Sequence, residues 1–200
     1  MIDFEEMMAE RGVQVDHTNI YRWVQKFAPQ LEAEFRRSGN KRPVGTSWRM
    51  DETYIKVNGQ WKYLYRAVDK VGQSVDFLLT AHRDKKAARR FFHKALGQHG
   101  LPEKVTIDKS GANTAALEAF QEETGATIEI RQNKYLNNLV EQDHRAVKRI
   151  VRLMLGFKSF RSASRTLAGI ELMHMLKKGQ MIPHNGQELS AAEQFYSLAA

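Results

Sequence analysis

Apolar residues recur along this chain with two different periods, and the change between them divides it. Up to Pro29 the spacing is helical. Phe4, Met7 and Met8 share one side of a segment over 1–10 that Gly12 ends, and Ile20, Trp23, Val24 and Phe27 recur behind Asp16, His17 and Thr18, whose polar side chains can cap free amides. Pro29 is expected to close this second helix. From Trp48 the period is two: residues 48–57 and 60–68 flank Asn58-Gly59, a pair favoured in two-residue hairpin turns, so a β-hairpin is predicted. A third strand is predicted over 74–80. Asp84 can then cap a helix to about Leu96 with Ala88, Phe91, Phe92 and Ala95 turned inward. A short strand at 104–107, a helix around 114–124 closed by Gly125, a strand at 127–130 and a long helix over 139–155 complete the series.

Three strands followed by alternating helices and strands is the order of an RNase H-like fold, an α/β core of five mixed strands with flanking helices, although many α/β domains alternate in this way. The stretch Arg36-Arg37-Ser38-Gly39-Asn40-Lys41-Arg42-Pro43 reads as a polar, basic linker. The expected organisation is therefore a pair of helices resembling a helix-turn-helix over 1–35, a linker over 36–46, a catalytic core over 47–180 and a tail over 181–200. With Pro183, Asn185 and Gly186, the tail shows no pattern and is expected to be mobile.

Composition narrows the partners. Lysine and arginine number 31 against 23 acidic residues, a net charge of +8 that favours polyanions, nucleic acid first among them. No apolar run approaches the roughly 18 residues that span a bilayer, so no membrane role is expected. The acidic start, Met1 to Glu6, lacks the pattern of an export signal. The absence of cysteine excludes disulfides and thiolate zinc sites and suits a reducing cytoplasm.

The candidate chemistry lies in carboxylates. Asp51 falls inside the first strand, where a charge is costly unless it is paired or binds a cation. Asp108 follows Lys104-Val105-Thr106-Ile107, at the carboxyl end of a strand, where open α/β sheets place their sites. Glu141 opens the long helix. Together they could hold two Mg²⁺ ions for phosphoryl transfer, Asp108 bridging both with Asp51 on one and Glu141 on the other. Glu52 rivals Asp51, since side chains alternate along a strand and only one of the two can face the site; Asp143 rivals Glu141. Glu141, Arg145, Lys148 and Arg152 recur on one helix face, which can track DNA phosphates, while Val147, Ile150, Val151 and Met154 form an apolar stripe opposite. A solvated face with an ordinary Glu141–Arg145 pair is the plainer alternative.

The segments Trp48-Arg49-Met50-Asp51-Glu52-Thr53-Tyr54, Thr106-Ile107-Asp108-Lys109 and Asn137-Asn138-Leu139-Val140-Glu141-Gln142-Asp143-His144 resemble the DDE transposases of bacterial insertion sequences, the IS-six group in particular. Lys148, seven positions after Glu141, matches that group's usual basic residue, and Leu155 to Ser159 and Lys177 to Gln180 also look like the family. The resemblance favours Asp51 over Glu52. It implies an RNase H-like catalytic core and magnesium dependence, with Mn²⁺ able to substitute. It also implies recognition of terminal inverted repeats in double-stranded DNA, transfer of a 3′-hydroxyl end into target DNA, and a homodimer or larger assembly at the bacterial nucleoid. In the same reading His17, Thr18, Asn19 and Arg22 stand at the start of a recognition helix, with Ile20 and Trp23 in its core. Family members usually carry a longer amino-terminal region, so the helix-turn-helix is expected to be truncated. A nuclease that only hydrolyses, or an inactive DNA-binding remnant, remains the alternative.

Overall fold

The Asn58-Gly59 turn organises the sheet. Both residues have positive φ, 48° and 74°, the backbone demanded by a tight hairpin whose twist matches its strands. The turn joins β1 (Ser47–Val57) to β2 (Gln60–Asp69), paired antiparallel from Val57↔Gln60 to Trp48↔Asp69. The computed structural model describes residues 4–37, 40–108, 111–133, 138–182 and 189–199. Ser38, Gly39, Lys109, Asn137 and the tail's Pro183, Asn185 and Gly186 lie outside them. β3 (Ser74–Thr80) pairs antiparallel with β2, and β4 (Lys104–Ile107) and β5 (Glu129–Gln132) run parallel to β1, giving a five-stranded mixed sheet in the order β3-β2-β1-β4-β5.

Alternation along the strands supplies a core to each face. Trp48, Met50, Tyr65, Ala67 and Val75 pack with Phe91 and Phe92 of α3 (Lys85–His99) and Leu117 of α4 (Gly111–Thr124). On the other face Ile55, Val57, Leu64 and Leu79 meet Val147 and Val151 of α5 (Asn138–Leu153) and Ala163 and Leu167 of α6 (Phe160–Lys177). A third cluster joins α6 to Phe35 of α2 (His17–Arg36) and Leu198 of α7 (Ala191–Ala199), while α1 (Phe4–Ala9) precedes them. The caps fall where the sequence puts them: Asp16 accepts from Asn19 N at 2.9 Å and Asp84 from Ala87 N at 2.7 Å.

Several expectations are corrected. Pro29 does not end α2, which continues to Arg36. An interior proline costs a helix about 3 kcal/mol, and packing along α6 offsets it; Gln25 donates to Thr166 Oγ1 at 2.8 Å, and Phe35 is fully buried. Trp23, expected inside, is 44% exposed. Only half the apolar stripe is buried: Val147 and Val151 of α5 are, whereas Ile150 is exposed, as is Met154, which lies just past the helix, since α5 ends at Leu153 rather than at 155. The tail is not patternless, since α7 forms there and Met181 bridges to Lys41. β5 begins two residues later than the alternation suggested, and α4 three residues earlier. Among the described residues no helix is long and apolar enough to cross a membrane.

Candidate active site

Alternation sends Asp51 and Glu52 to opposite faces of the sheet. Asp51 is half-buried on the α5 side, its Oδ2 3.6 Å from Nε2 of His144. His144 lies one turn beyond Glu141 on α5. Burial holds its imidazole below the usual histidine range, against the pull of Asp51, and neither ring nitrogen has a partner within hydrogen-bond distance among the described residues. Glu141 itself is exposed, 3.8 Å from Arg145.

Glu52 turns the other way, toward α4. Asn113 Nδ2 donates to its Oε2 at 3.1 Å and Arg83 binds its Oε1. Burial pushes the Glu52 carboxyl up, with Asn113 and Arg83 opposing the shift. Arg83 also reaches Oδ2 of Asp108 at 3.3 Å. Asp108 directly follows β4, and the offset that pairs Ser47 with Lys104 and Arg49 with Thr106 also separates Asp51 from Asp108. Continued two residues past its last pair, this register would bring the two aspartates side by side, while Arg83 links Asp108 to Glu52. Among the described residues no three carboxylates or imidazoles stand close enough to enclose a metal ion.

Behind Asp51 lies a buried charge cluster. Its cross-strand partner is Arg66, 1% exposed, which donates to Asp143 Oδ2 at 2.8 Å and is bound by Glu171 of α6. Lys178 Nζ reaches the same Asp143 oxygen at 2.6 Å. Asp143, the rival to Glu141, is thus committed to two cations. His174 borders the cluster, with its Nδ1 3.3 Å from Arg66, and burial together with Lys178 lowers its pKa to about 4. His99, edge-on to Trp48 on the opposite face, is likewise lowered to about 4, chiefly by burial.

These two imidazoles set a pH dependence. Between pH 4 and 6.5 the unfolded chain binds protons that the folded one refuses, so stability falls as pH drops through 6.5. Each group contributes up to about 1.4 kcal/mol per pH unit in that window. The thermal midpoint should fall between pH 7 and 5, and less steeply in His174→Gln; a midpoint unchanged over that range would remove this account.

His17, Thr18 and Arg22 are exposed at the start of α2 and Asn19 is half-buried, while Arg145, Lys148 and Arg152 are exposed along α5. Sequence reasoning missed Arg83, Asn113, Arg66 and His144. Only His144 had a local signal, its helical spacing from Glu141; the others are recruited by contacts distant in sequence.

Residues 45–180 match a family model described as a DDE domain. The transposase for the insertion sequence-like element IS431mec of Staphylococcus aureus is 40% identical over 180 residues, covering 88% of this chain and 77% of that protein. The transposase for insertion sequence element IS257 in transposon Tn4003, also of Staphylococcus aureus, is 39% identical over the same shares. In shape the chain is similar to the HTLV-2 integrase catalytic core domain in complex with magnesium, with a TM-score of 0.51 and 15% identity over 78% of this chain and 99% of that one.

Proposed function

Because the chain belongs to the DDE transposases of bacterial insertion sequences, we propose that Asp51, Asp108 and Glu141 are its metal-binding carboxylates, and that it cuts element ends and joins a 3′-hydroxyl to target DNA. It is a polynucleotidyl transferase. The observation that supports the residue assignment is the β1–β4 register, which if continued past the end of β4 would set Asp51 beside Asp108. α5, with Glu141 in its first turn, packs against β1 beside them.

The donors fit a hard divalent cation. All three are carboxylate oxygens, and magnesium keeps several waters, so a few protein ligands suffice. Asp108 already faces a cation, the Arg83 guanidinium, as expected of a position built to hold positive charge. Asp51, Asp108 and Glu141 would together hold the divalent cations. Two Mg²⁺ ions, or Mn²⁺ in their place, supply activation of the attacking oxygen and stabilisation of the leaving one. His144 limits where the Asp51 carboxylate can swing, and Arg66 and Lys178 hold Asp143, in the second turn of α5, against the sheet. Arg145, Lys148 and Arg152 continue from Glu141 as contacts for DNA phosphates.

His17, Thr18, Asn19 and Arg22, at the amino end of α2, are the proposed contacts to the terminal inverted repeats, in a helix-turn-helix unit over 1–35 joined by the linker at 36–46 to a catalytic core over 47–180. The protein acts at the nucleoid as a homodimer or larger assembly that holds two ends together.

The test is incubation with labelled duplex carrying the element's ends and a free 3′-hydroxyl, with and without Mg²⁺. Joined product that disappears on chelation is expected. Shortened strands without joining would instead identify a hydrolytic nuclease, and an intact substrate under all conditions would overturn the reading.

A further inference from the structure

α3 carries no acid, and six of its seven basic residues, Lys85, Lys86, Arg89, Arg90, His93 and Lys94, fall within ten positions. Its apolar side, Ala87, Ala88, Phe91 and Phe92, is buried against the sheet, which leaves Lys85, Lys86, Arg89, Arg90 and His93 exposed on the other. Three of the bases are engaged: Arg89 pairs with Glu123 at 2.6 Å and donates to His93 Nε2 at 3.2 Å, and Lys94 pairs with Asp76 at 2.8 Å. Lys85, Lys86 and Arg90 have no ion-pair partner among the described residues. Lys86, Arg90 and His93 border a shallow hollow of about 550 Å³ beside Leu78.

The position of this face gives it meaning. Arg83, which touches Asp108 and Glu52, immediately precedes Asp84, the N-cap of α3, so the helix starts at the carboxylate edge and leads away from it. Lys85 to Arg90 spans roughly 7.5 Å along the axis at 1.5 Å per residue, about the separation of successive phosphates on a strand. Neighbouring α4 has Glu118, Glu122 and Glu123 and no base, which bounds the positive track on one side. α5, with its own basic residues, covers the opposite face of the sheet. Two separate positive tracks therefore leave one edge.

We propose that the exposed face of α3 binds the phosphate backbone of the target duplex, while α5 follows the element end. The inference rests on the strand-transfer reading above, because only a joining reaction needs two duplexes at one centre. The free groups on α3 are ammonium and guanidinium cations suited to phosphate oxygens, so the interaction is expected to be to the backbone and strongly salt-dependent.

The test uses the full chain with Lys85, Lys86 and Arg90 replaced by alanine, a helix-favouring residue at exposed positions, and an unchanged thermal midpoint confirming the fold. Binding of a random-sequence duplex is measured by fluorescence anisotropy over a salt series, and joining is measured with that duplex as target. Every phosphate that the variant no longer neutralises lowers the slope of log K against log salt by about 0.9, so a decrease of about 2 to 3 is expected. Cleavage of the element end should be unchanged, and the target concentration for half-maximal joining should rise at least about tenfold. An unchanged salt slope overturns the proposal. A drop in end cleavage equal to the drop in joining also overturns it, by giving α3 to the element end. If even the unaltered protein joins nothing, the strand-transfer reading fails, and the target assignment fails with it; the salt slope then reports separately whether α3 binds DNA.

Discussion

Asp51→Asn is expected to lower strand transfer by on the order of a thousandfold or more, as removal of an essential catalytic group does, whereas Glu52→Gln should change it by less than about tenfold, an energy of about 1.4 kcal/mol. The contrast follows from the faces the two side chains occupy. Asp51 shares its face with α5, where Glu141 and His144 lie, and the β1–β4 register, if continued, leads it toward Asp108. Glu52 is held by Asn113 and Arg83 on the α4 side, and a glutamine there keeps an acceptor for Asn113. Asparagine at 51 preserves shape and removes charge, so a lost activity with a native circular dichroism spectrum reports on cation binding. Calorimetric titration with Mn²⁺ provides the second readout, with weaker binding expected in Asp51→Asn and Asp108→Asn. Full joining activity in Asp51→Asn would sink the assignment, and a thousandfold loss in Glu52→Gln would transfer it to the neighbouring carboxylate.

Arg66→Met should destabilise the protein by about 3–5 kcal/mol, because it leaves a buried carboxylate without its cation. In a chain of this size that corresponds to a fall in thermal midpoint of roughly 10 °C or more. Arg66, Lys178, Asp143 and Glu171 together are neutral, with His174 kept uncharged beside them. Removing Arg66 alone strands Glu171, which is 1% exposed. Removing Arg66 and Glu171 together leaves the Lys178–Asp143 pair intact and the site neutral again, so Arg66→Met with Glu171→Met should regain most of the stability. Urea denaturation of both variants decides it: a single variant as stable as the parent, or a double variant no better than the single, contradicts this balance.

Much of this architecture could be read from local pattern, and the exceptions share a cause. The hairpin, α3 and the caps at Asp16 and Asp84 depend on residues close in sequence, and the structure follows them. Asp51 and Asp108 stand out by their joint placement in and just after strands, and the family resemblance is what favours Asp51 over Glu52. α6 could not be read this way. Its buried side contains Ser162, Thr166 and Glu171, which satisfy Ser159, Gln25 and Arg66, so polar residues interrupt the apolar period. The continuation of α2 through Pro29 has the same origin, since α6 supplies the packing that propensity lacks. Ile150 and Met154 have helical spacing but are exposed, because α5 ends at Leu153 and buries a narrower stripe than its sequence offers. Arg83 has no local signal at all, because its two carboxylate partners, Glu52 and Asp108, are distant in sequence.

The parallel contact between β1 and β4 consists of three residue pairs, Ser47↔Lys104 to Arg49↔Thr106, whereas β1, β2 and β3 form a meander of sequential neighbours. Local pairings form quickly. A parallel pairing waits for the chain between its strands, here two strands and a helix, to be closed into a loop. Asp51 is therefore expected to sit in its strand before Asp108 has a strand to follow. A newly made or refolding chain would present an ordered meander without a cutting centre, and the ability to break DNA would arrive only when the sheet is complete.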